Sequence, residues 1–456
     1  MRKYPFGKSE NVSFTHFLTN RFLLNCRSSG RTEATPMNIS GKRMYELLEK
    51  LNFVRLSTFE GEKKAADIIA NEIKEIGLTP VIETFKAPRY EIKTAKLEIT
   101  APFCKEYEVS GYGFAGNDAA NGLEADFIYL EALEPIDLVG VKGKIAFVAS
   151  GLRPDDFKKL IEAGVIGVIS PSGTFRETKD SLDLDERMLR PAHIENGKLP
   201  AVCIRMTDAL EMVASKPEKV KITLAQEEGE ADSQNVIAEI QGTEYPDEVV
   251  IYTAHYDSVV FSPGMFDNAS GSATILEMLR YYKENPPKRT VRFIWCGSEE
   301  RGLLGSKAYV AAHEEEMAKI VLCINVDMTG PLLGRDVAVV TGEEAICHAM
   351  TYFYKEIGYP MNVVQDIYSS DSIPFADKGI PGINFMRRAA KDTTQIHCRY
   401  DVIETVTAES MERTTRFIAR FSDRILNAVF FPIEKKMPDN MVEKVDKYLR
   451  KKKPNA

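Results

Sequence analysis

From Asn235 onward the chain alternates short apolar runs with amphipathic helical stretches. This rhythm constrains the fold more than any other feature. Runs at 236–240, 249–253, 291–295, 320–326 and 337–340 are apolar at successive positions, not at every second one. Such strands need cover on both faces, which is the condition of a parallel sheet between helices. Helical spacing at 270–284, 303–313, 343–357 and 405–429 supplies that cover. The pattern predicts an α/β class: a doubly wound, mostly parallel sheet. In such sheets ligands bind beyond the carboxyl ends of the strands.

The remaining sequence is organised around this half. At 456 residues the chain is too long for one ordinary core. Residues 1–40 read as a loosely ordered leader, with Met37 a candidate alternative start. Helices are expected at 44–54 and 60–76, the second carrying an apolar stripe of Ala65, Ile68, Ile69, Ile73 and Ile76 and ending at Gly77. Strands 81–85 and 92–99 follow. Residues 102–230 change character, with a glycine-punctuated loop and then short strands and helices. They read as a smaller inserted α/β domain, and 171–200 as an irregular lid or contact loop. The main domain is then 41–101 with 231–432. Residues 433–456 form a C-terminal helix and basic tail, with Met441, Val445, Tyr448 and Leu449 on one stripe, read as a solvated terminus.

Composition narrows the function classes. Apolar residues make up 44% of the chain and charged residues 28%, as in water-soluble globular proteins. No apolar run reaches the length of a membrane span. A net charge of -8 weighs against a nucleic-acid partner. The seven cysteines show no CxxC spacing, and Cys296 and Cys323 fall inside apolar strands. They read as reduced thiols, which favours a reducing compartment, the cytoplasm. The stretch 14–26 carries His16, Asn20 and Arg21 and makes a poor signal-peptide core. The insert and the C-terminal helix offer surfaces through which the chain could form a homo-oligomer.

The chemistry gathers at the strand ends. His255 and Asp257 end one strand, Asp267 precedes the helix that opens at Ser270, and Glu299 and Glu300 follow the strand 290–296. Asp327 follows another strand, and His397 lies in a late loop. Any one of these has an ordinary explanation: a satisfied histidine, an N-cap aspartate, or a solvated acidic turn. Together on one sheet edge they form the donor set of a two-metal hydrolase. Asp267 suits a bridging carboxylate. Asp257 suits a partner that accepts the His255 N–H and sets its tautomer. Of Glu299 and Glu300, adjacent side chains diverge, so one can ligate while the other faces the open coordination position. His16, His193, His313 and His348 lack such settings and read as structural.

These residues carry a resemblance. The stretches His255-Tyr256-Asp257-Ser258, Phe266-Asp267-Asn268-Ala269-Ser270-Gly271, Ser298-Glu299-Glu300, Asn325-Val326-Asp327 and His397 with Asp401 resemble the two-zinc exopeptidase family. That family includes aminopeptidase Y, the bacterial leucyl aminopeptidases and, more distantly, glutamate carboxypeptidase and the transferrin receptor. Ser370-Asp371 with Pro374-Phe375 and Gly379-Ile380-Pro381 is similar to a family segment near the site. The resemblance spans residues 235 to 430, and the insert resembles a protease-associated domain more loosely.

What the resemblance implies is a zinc exopeptidase fold acting on peptide substrates, with two zinc ions per chain. Asp267 would bridge them, His255 and Asp327 would complete one site, and Glu300 and His397 the other. Glu299 would be the general base and acid, Asp257 would orient His255, and the peptide bond after Asp267 would be cis. One departure stands out: Ile396 occupies the position where some relatives carry an oxyanion-stabilising tyrosine. The metals, a nearby group such as Tyr400, or a partner must then take that role. An aminopeptidase is the expected activity. The alternatives are a carboxypeptidase or dipeptidase, a glutaminyl cyclase-like enzyme with one metal site, and a non-catalytic receptor-like protein.

Overall fold

The computed structural model describes residues 37–149, 151–175, 184, 187–391 and 393–451. The expected leader lies almost wholly outside them, as do His16, Cys26 and part of the loop 171–200. The chain divides into the units Met1–Asn38 and Ile39–Ala456, and the second holds everything that follows.

Its catalytic half is built on one sheet. The strands Gly382–Ala389, Ile320–Val326, Tyr245–His255 and Arg289–Cys296 lie side by side and parallel. Antiparallel neighbours flank them, Gly334–Thr341 on one side and Lys219–Ile240 on the other, so the parallel pairing is confined to the centre and the outer pair Gly334–Thr341 with Asn362–Gln365. On one face Ile251, Ile294, Cys296 and Cys323 pack against Tyr309 and Phe375. On the other, Tyr252 stacks on Phe293 at 4.8 Å and meets Tyr282 of the helix Ser270–Glu284. That helix packs with Gly41–Leu51 and Ala408–Leu426 as a covering layer. Because the central strands are parallel, their carboxyl ends share an edge: His255 pairs with Cys296, and Thr253 with Asn325.

The expected strand–helix alternation is present, with differences that have physical causes. The strand Gly382–Ala389 sits in the sheet centre, where the sequence reading had only a segment near the site. Its apolar run is short and follows Pro381, so its period is weak. The separate strands expected at 81–85 and 92–99 are one strand, Val81–Ala101. The run at 236–240 is the end of a longer strand, Lys219–Ile240, that begins in the insert. The two pair antiparallel from Val81↔Ile237 to Ala101↔Lys219, forming a long ribbon. Its middle, around 227–230, is polar and exposed. No hydrophobic alternation marks it, and reciprocal backbone hydrogen bonds hold it in register.

The far end of the ribbon enters the insert. There Leu97, Ile99, Val220 and Ile222 join a second apolar core with Phe147, Val168 and Ile204. Its strands Leu123–Leu130, Ile145–Val148, Gly167–Ser172 and Ala201–Arg205 are parallel neighbours.

The C-terminal helix, Asp439–Tyr448, is not a solvated terminus. Met441 and Val445 are buried, and Val445 packs with Leu303, Ile373 and Ala376. Lys444 pairs with Asp366 at 2.7 Å, and Tyr448 shares a hydrogen bond with Ser369 at 2.5 Å. The expected apolar stripe is real, but the chain itself covers it. Among the described residues no helix is long and apolar enough to cross a membrane.

Candidate active site

Each site residue is held by an element that ends or turns at the shared sheet edge. His255 is the last residue of its strand, and the Ser272 hydroxyl donates to its carbonyl at 2.8 Å. Asp267 lies in a one-turn irregular helix, Met265–Ala269, whose backbone leaves helical geometry at Asp267 and Asn268. The Asp267–Asn268 peptide is cis, as the resemblance implied. Glu299 and Glu300 follow Cys296 through a tight turn. A side chain at Gly297 would lie 2.4 Å from the Gln234 carbonyl, so only glycine fits. Ser298, Met328 and His397 have φ of 53°, 56° and 60°. All three adjoin or are candidate site residues, and such strain concentrates at functional sites.

The geometry converges on Asp267. Its Oδ1 lies 3.1 Å from His255 Nε2 and its Oδ2 lies 3.2 Å from His397 Nε2. One carboxylate thus faces two imidazoles from opposite sides. His255 Nε2 also lies 3.7 Å from Asp327 Oδ1, and His397 Nε2 lies 3.2 Å from Glu300 Oε2. Two triads share Asp267, His255–Asp267–Asp327 and Asp267–Glu300–His397, and a third group, His255–Glu299–Glu300, also has donor atoms close enough to surround one ion. Glu299 stands beside both triads, its Oε2 3.9 Å from His255 Nε2. Asp257 Oδ1 lies 3.4 Å from His255 Nδ1, a long electrostatic contact. The same carboxylate accepts the Glu299 N–H at 3.0 Å and the Glu300 N–H at 3.2 Å. His255, Asp257, Asp267 and Asp327 are buried, Glu299 and Glu300 are partly exposed, and His397, 51% exposed, marks the open side.

The electrostatics are those of a cage made for cations. Burial raises Glu299 well above the usual carboxylate range, and repulsion from Glu300, Asp371 and Asp327 adds to it while His255 opposes. Glu300 and Asp327 are raised for the same first cause, with Asp267 repelling both. Burial alone would lower the histidines. Glu299, Asp257, Asp267 and Asp327 instead carry His255 well above its ordinary value, and Asp267 and Glu300 carry His397 up to about 11. Asp327 Oδ1 and Glu300 Oε1 are buried without a hydrogen-bond partner. Crowded, desolvated carboxylates with orphaned oxygens hold protons for want of a better cation, and a metal ion displaces them. The residues fit zinc, which takes imidazole nitrogen and carboxylate oxygen.

Several supporting residues escaped the sequence reading. Asp401 appeared in the quoted stretches without a role. It accepts the Phe266 N–H at 2.6 Å and the Asp267 N–H at 3.0 Å, holding the bridging segment. Asn268 joins that segment to the Asp327 strand, donating to the Val326 carbonyl at 3.0 Å and accepting the Met328 N–H at 3.1 Å. Arg55, fully buried, donates to the carbonyls of Tyr256, Gly264 and Pro263 and so ties the His255 strand end to the loop before Asp267. Glu62 contacts Ser298, next to the glutamate pair. Tyr368 has its ionisation suppressed by burial first and then by the charges of Asp327, Asp267 and Glu299.

The other described histidines lie elsewhere. His193 is in the insert, His313 stacks on Tyr309 and pairs with Glu83 at 2.8 Å, and His348 is exposed beside Glu344.

The chain is similar to several known proteins. Residues 235–422 match the family model described as Peptidase family M28. Aminopeptidase YwaD of Bacillus subtilis (strain 168) is 27% identical over 428 residues, covering 88% of this chain and 87% of that protein. Carboxypeptidase Q of Rattus norvegicus is 24% identical over 349 residues, covering 72% of this chain and 73% of that protein. Among solved structures, a zinc aminopeptidase from Bacillus subtilis superimposes with a TM-score of 0.74 at 23% identity, over 90% of this chain and 100% of that one.

Proposed function

We infer that the chain is a zinc-dependent exopeptidase, an aminopeptidase that removes N-terminal residues from peptides; the match of residues 235–422 to the model of peptidase family M28 supports this reading. The observation that carries a two-ion site is the Asp267 carboxylate, with one oxygen toward His255 and the other toward His397. His255 and Asp327 would hold one zinc ion with Asp267, and Glu300 and His397 would hold the other. When bound, the ions acidify a water to near neutral pKa and supply positive charge where negative charge develops on the substrate carbonyl. Glu299 belongs to neither triad built on Asp267 and borders both. Its carboxylate takes the proton of the attacking water, holds it, and passes it to the leaving amine. Asp257 fixes the His255 ring and clasps the backbone of the Glu299–Glu300 turn. Asp401 and Asn268 keep Asp267 between the two histidines.

Similarity to an aminopeptidase over 88% of the chain supports cleavage at the amino end. Similarity to carboxypeptidase Q keeps a carboxypeptidase as the second reading. The insert acts as a protease-associated cover. Cys296 and Cys323 are buried thiols within the apolar strands, which supports a cytoplasmic protein. The test is amino-acid release from one peptide sequence supplied free, N-blocked and C-blocked, with and without a chelator. An aminopeptidase releases residues from the free and C-blocked forms only, and the chelator abolishes release. Release from the N-blocked form would favour the carboxypeptidase, and release indifferent to chelation would refute a zinc enzyme.

A further inference from the structure

The turn that presents Glu299 and Glu300 is gripped from both sides by buried carboxylates. Its three consecutive amides, 298, 299 and 300, all donate to them. Asp257 accepts the last two. The first belongs to Glu62, which lies in the helix Glu60–Glu75, outside the family-matched segment. Glu62 is 1% exposed. Its Oε1 accepts the Ser298 N–H at 2.7 Å, the Ser298 hydroxyl at 2.9 Å and the Ser233 hydroxyl at 3.0 Å. Its Oε2 accepts the Thr58 N–H at 2.7 Å. Ser57 adds a hydroxyl donated to Ser298 Oγ at 2.5 Å.

We propose that Glu62 is a positioning residue for the reaction: through Ser298 it fixes the left-handed turn that aims Glu299 at the reacting water and Glu300 at its metal ion. The proposal rests on the roles given above to Glu299 and Glu300. Its physical basis is threefold. Ser298 has φ +53°, a conformation that a non-glycine residue holds only when its surroundings over-determine it. Glu62 supplies that constraint through four hydrogen bonds that its two oxygens accept together. Its donors come from three separated segments: Thr58, Ser233 and Ser298. The turn is thereby referenced to the N-terminal helical segment and the ribbon as well as to its own sheet. Rotation about Ser298 would swing both glutamates together, because they are its next two neighbours.

Glu62→Gln keeps the size and removes one acceptor, so either the Thr58 or the Ser298 amide meets an N–H group. The expected result is a roughly 10- to 100-fold lower kcat with KM little changed. Zinc competition should show a loss of similar size at one of two ions, the one held by Glu300 and His397. Glu62→Asp, which keeps the charge, should recover part of both. A variant that melts earlier but keeps kcat and both zinc affinities per folded molecule would mean that Glu62 only stabilises the fold, and overturns the proposal. If Glu62→Gln does not fold, Ser298→Ala carries the test, because it leaves Glu62 and the Ser298 amide in place. A smaller loss in kcat and in the same zinc affinity supports the proposal, and none overturns it. Zinc competition reads the turn even if the wild type cleaves no peptide, so failure of the enzymatic reading and failure of the Glu62 proposal are told apart.

Discussion

Asp257→Asn should weaken zinc binding and catalysis by roughly 10- to 100-fold while the fold survives. Asp257 is fully buried, and its two oxygens accept the Glu299 N–H at 3.0 Å and the Glu300 N–H at 3.2 Å, with His255 Nδ1 in electrostatic contact at 3.4 Å. An amide offers one oxygen. Turned toward Glu299 and His255, it sets its NH2 against the Glu300 N–H. Turned the other way, it opposes the Glu299 N–H and pushes His255 toward the wrong tautomer. In each orientation a buried backbone amide loses its acceptor, at a cost of about 1–3 kcal/mol. A 10- to 100-fold loss is about 1.4–2.8 kcal/mol, so the stability and affinity estimates agree in size. The assay pairs zinc competition with kcat/KM on an unblocked peptide, and thermal melting checks the fold. Wild-type zinc affinity together with wild-type kcat/KM would refute the claim that this carboxylate organises His255 and the glutamate turn.

Other perturbations have defined outcomes. Arg55→Met keeps the buried stem but strips donors from the carbonyls of Leu51, Tyr256 and Gly264, among others. Chemical denaturation should show a loss of about 3–5 kcal/mol, and a loss under about 1 kcal/mol would contradict the hub role. Tyr368→Phe should lower kcat about 10-fold or more if its hydroxyl supports the oxyanion in place of the tyrosine absent at Ile396; unchanged kcat on a small peptide would exclude it. His193 in the insert is lowered from its ordinary value, chiefly by burial. Its Nδ1 accepts the Arg190 N–H at 3.0 Å, which a protonated ring cannot do. A depressed folded pKa contributes stability above the unfolded value of about 6.5, and that stability is lost as pH falls through the folded pKa. Amide protection of the strands Ile145–Val148 and Ala201–Arg205, corrected for intrinsic exchange, should therefore drop below about pH 6.5. Constant protection would contradict this.

The parts legible in sequence were those with local signals. Apolar runs between helical stripes announced a buried parallel sheet, and His255, Glu300 and Asp327 stood at or just past strand ends, where such sheets bind ligands, with Asp267 before a helix and His397 in a late loop. The parts that were not legible depend on distant partners. A glutamate in a first helical turn, such as Glu62, reads as a charge matched to the helix dipole. Its partner Ser298 lies 236 residues away. Arg55, between two helices, carries no sign that the Tyr256 carbonyl 201 residues later will accept from it. The ribbon was missed at 227–230 because that stretch is polar and buries no face. The Met441–Val445 stripe was visible, but the helix Ile373–Ala376 that it covers was not.

The central claim is a division of labour between two adjacent carboxylates, Glu300 binding metal and Glu299 moving protons. Measuring zinc content and peptide turnover for Glu299→Gln beside Glu300→Gln tests it most directly. Glu299→Gln should keep wild-type zinc and lose most turnover, by about 100-fold or more. Glu300→Gln should lose affinity for one ion. Normal turnover by Glu299→Gln, or equal zinc loss in both variants, would contradict the account.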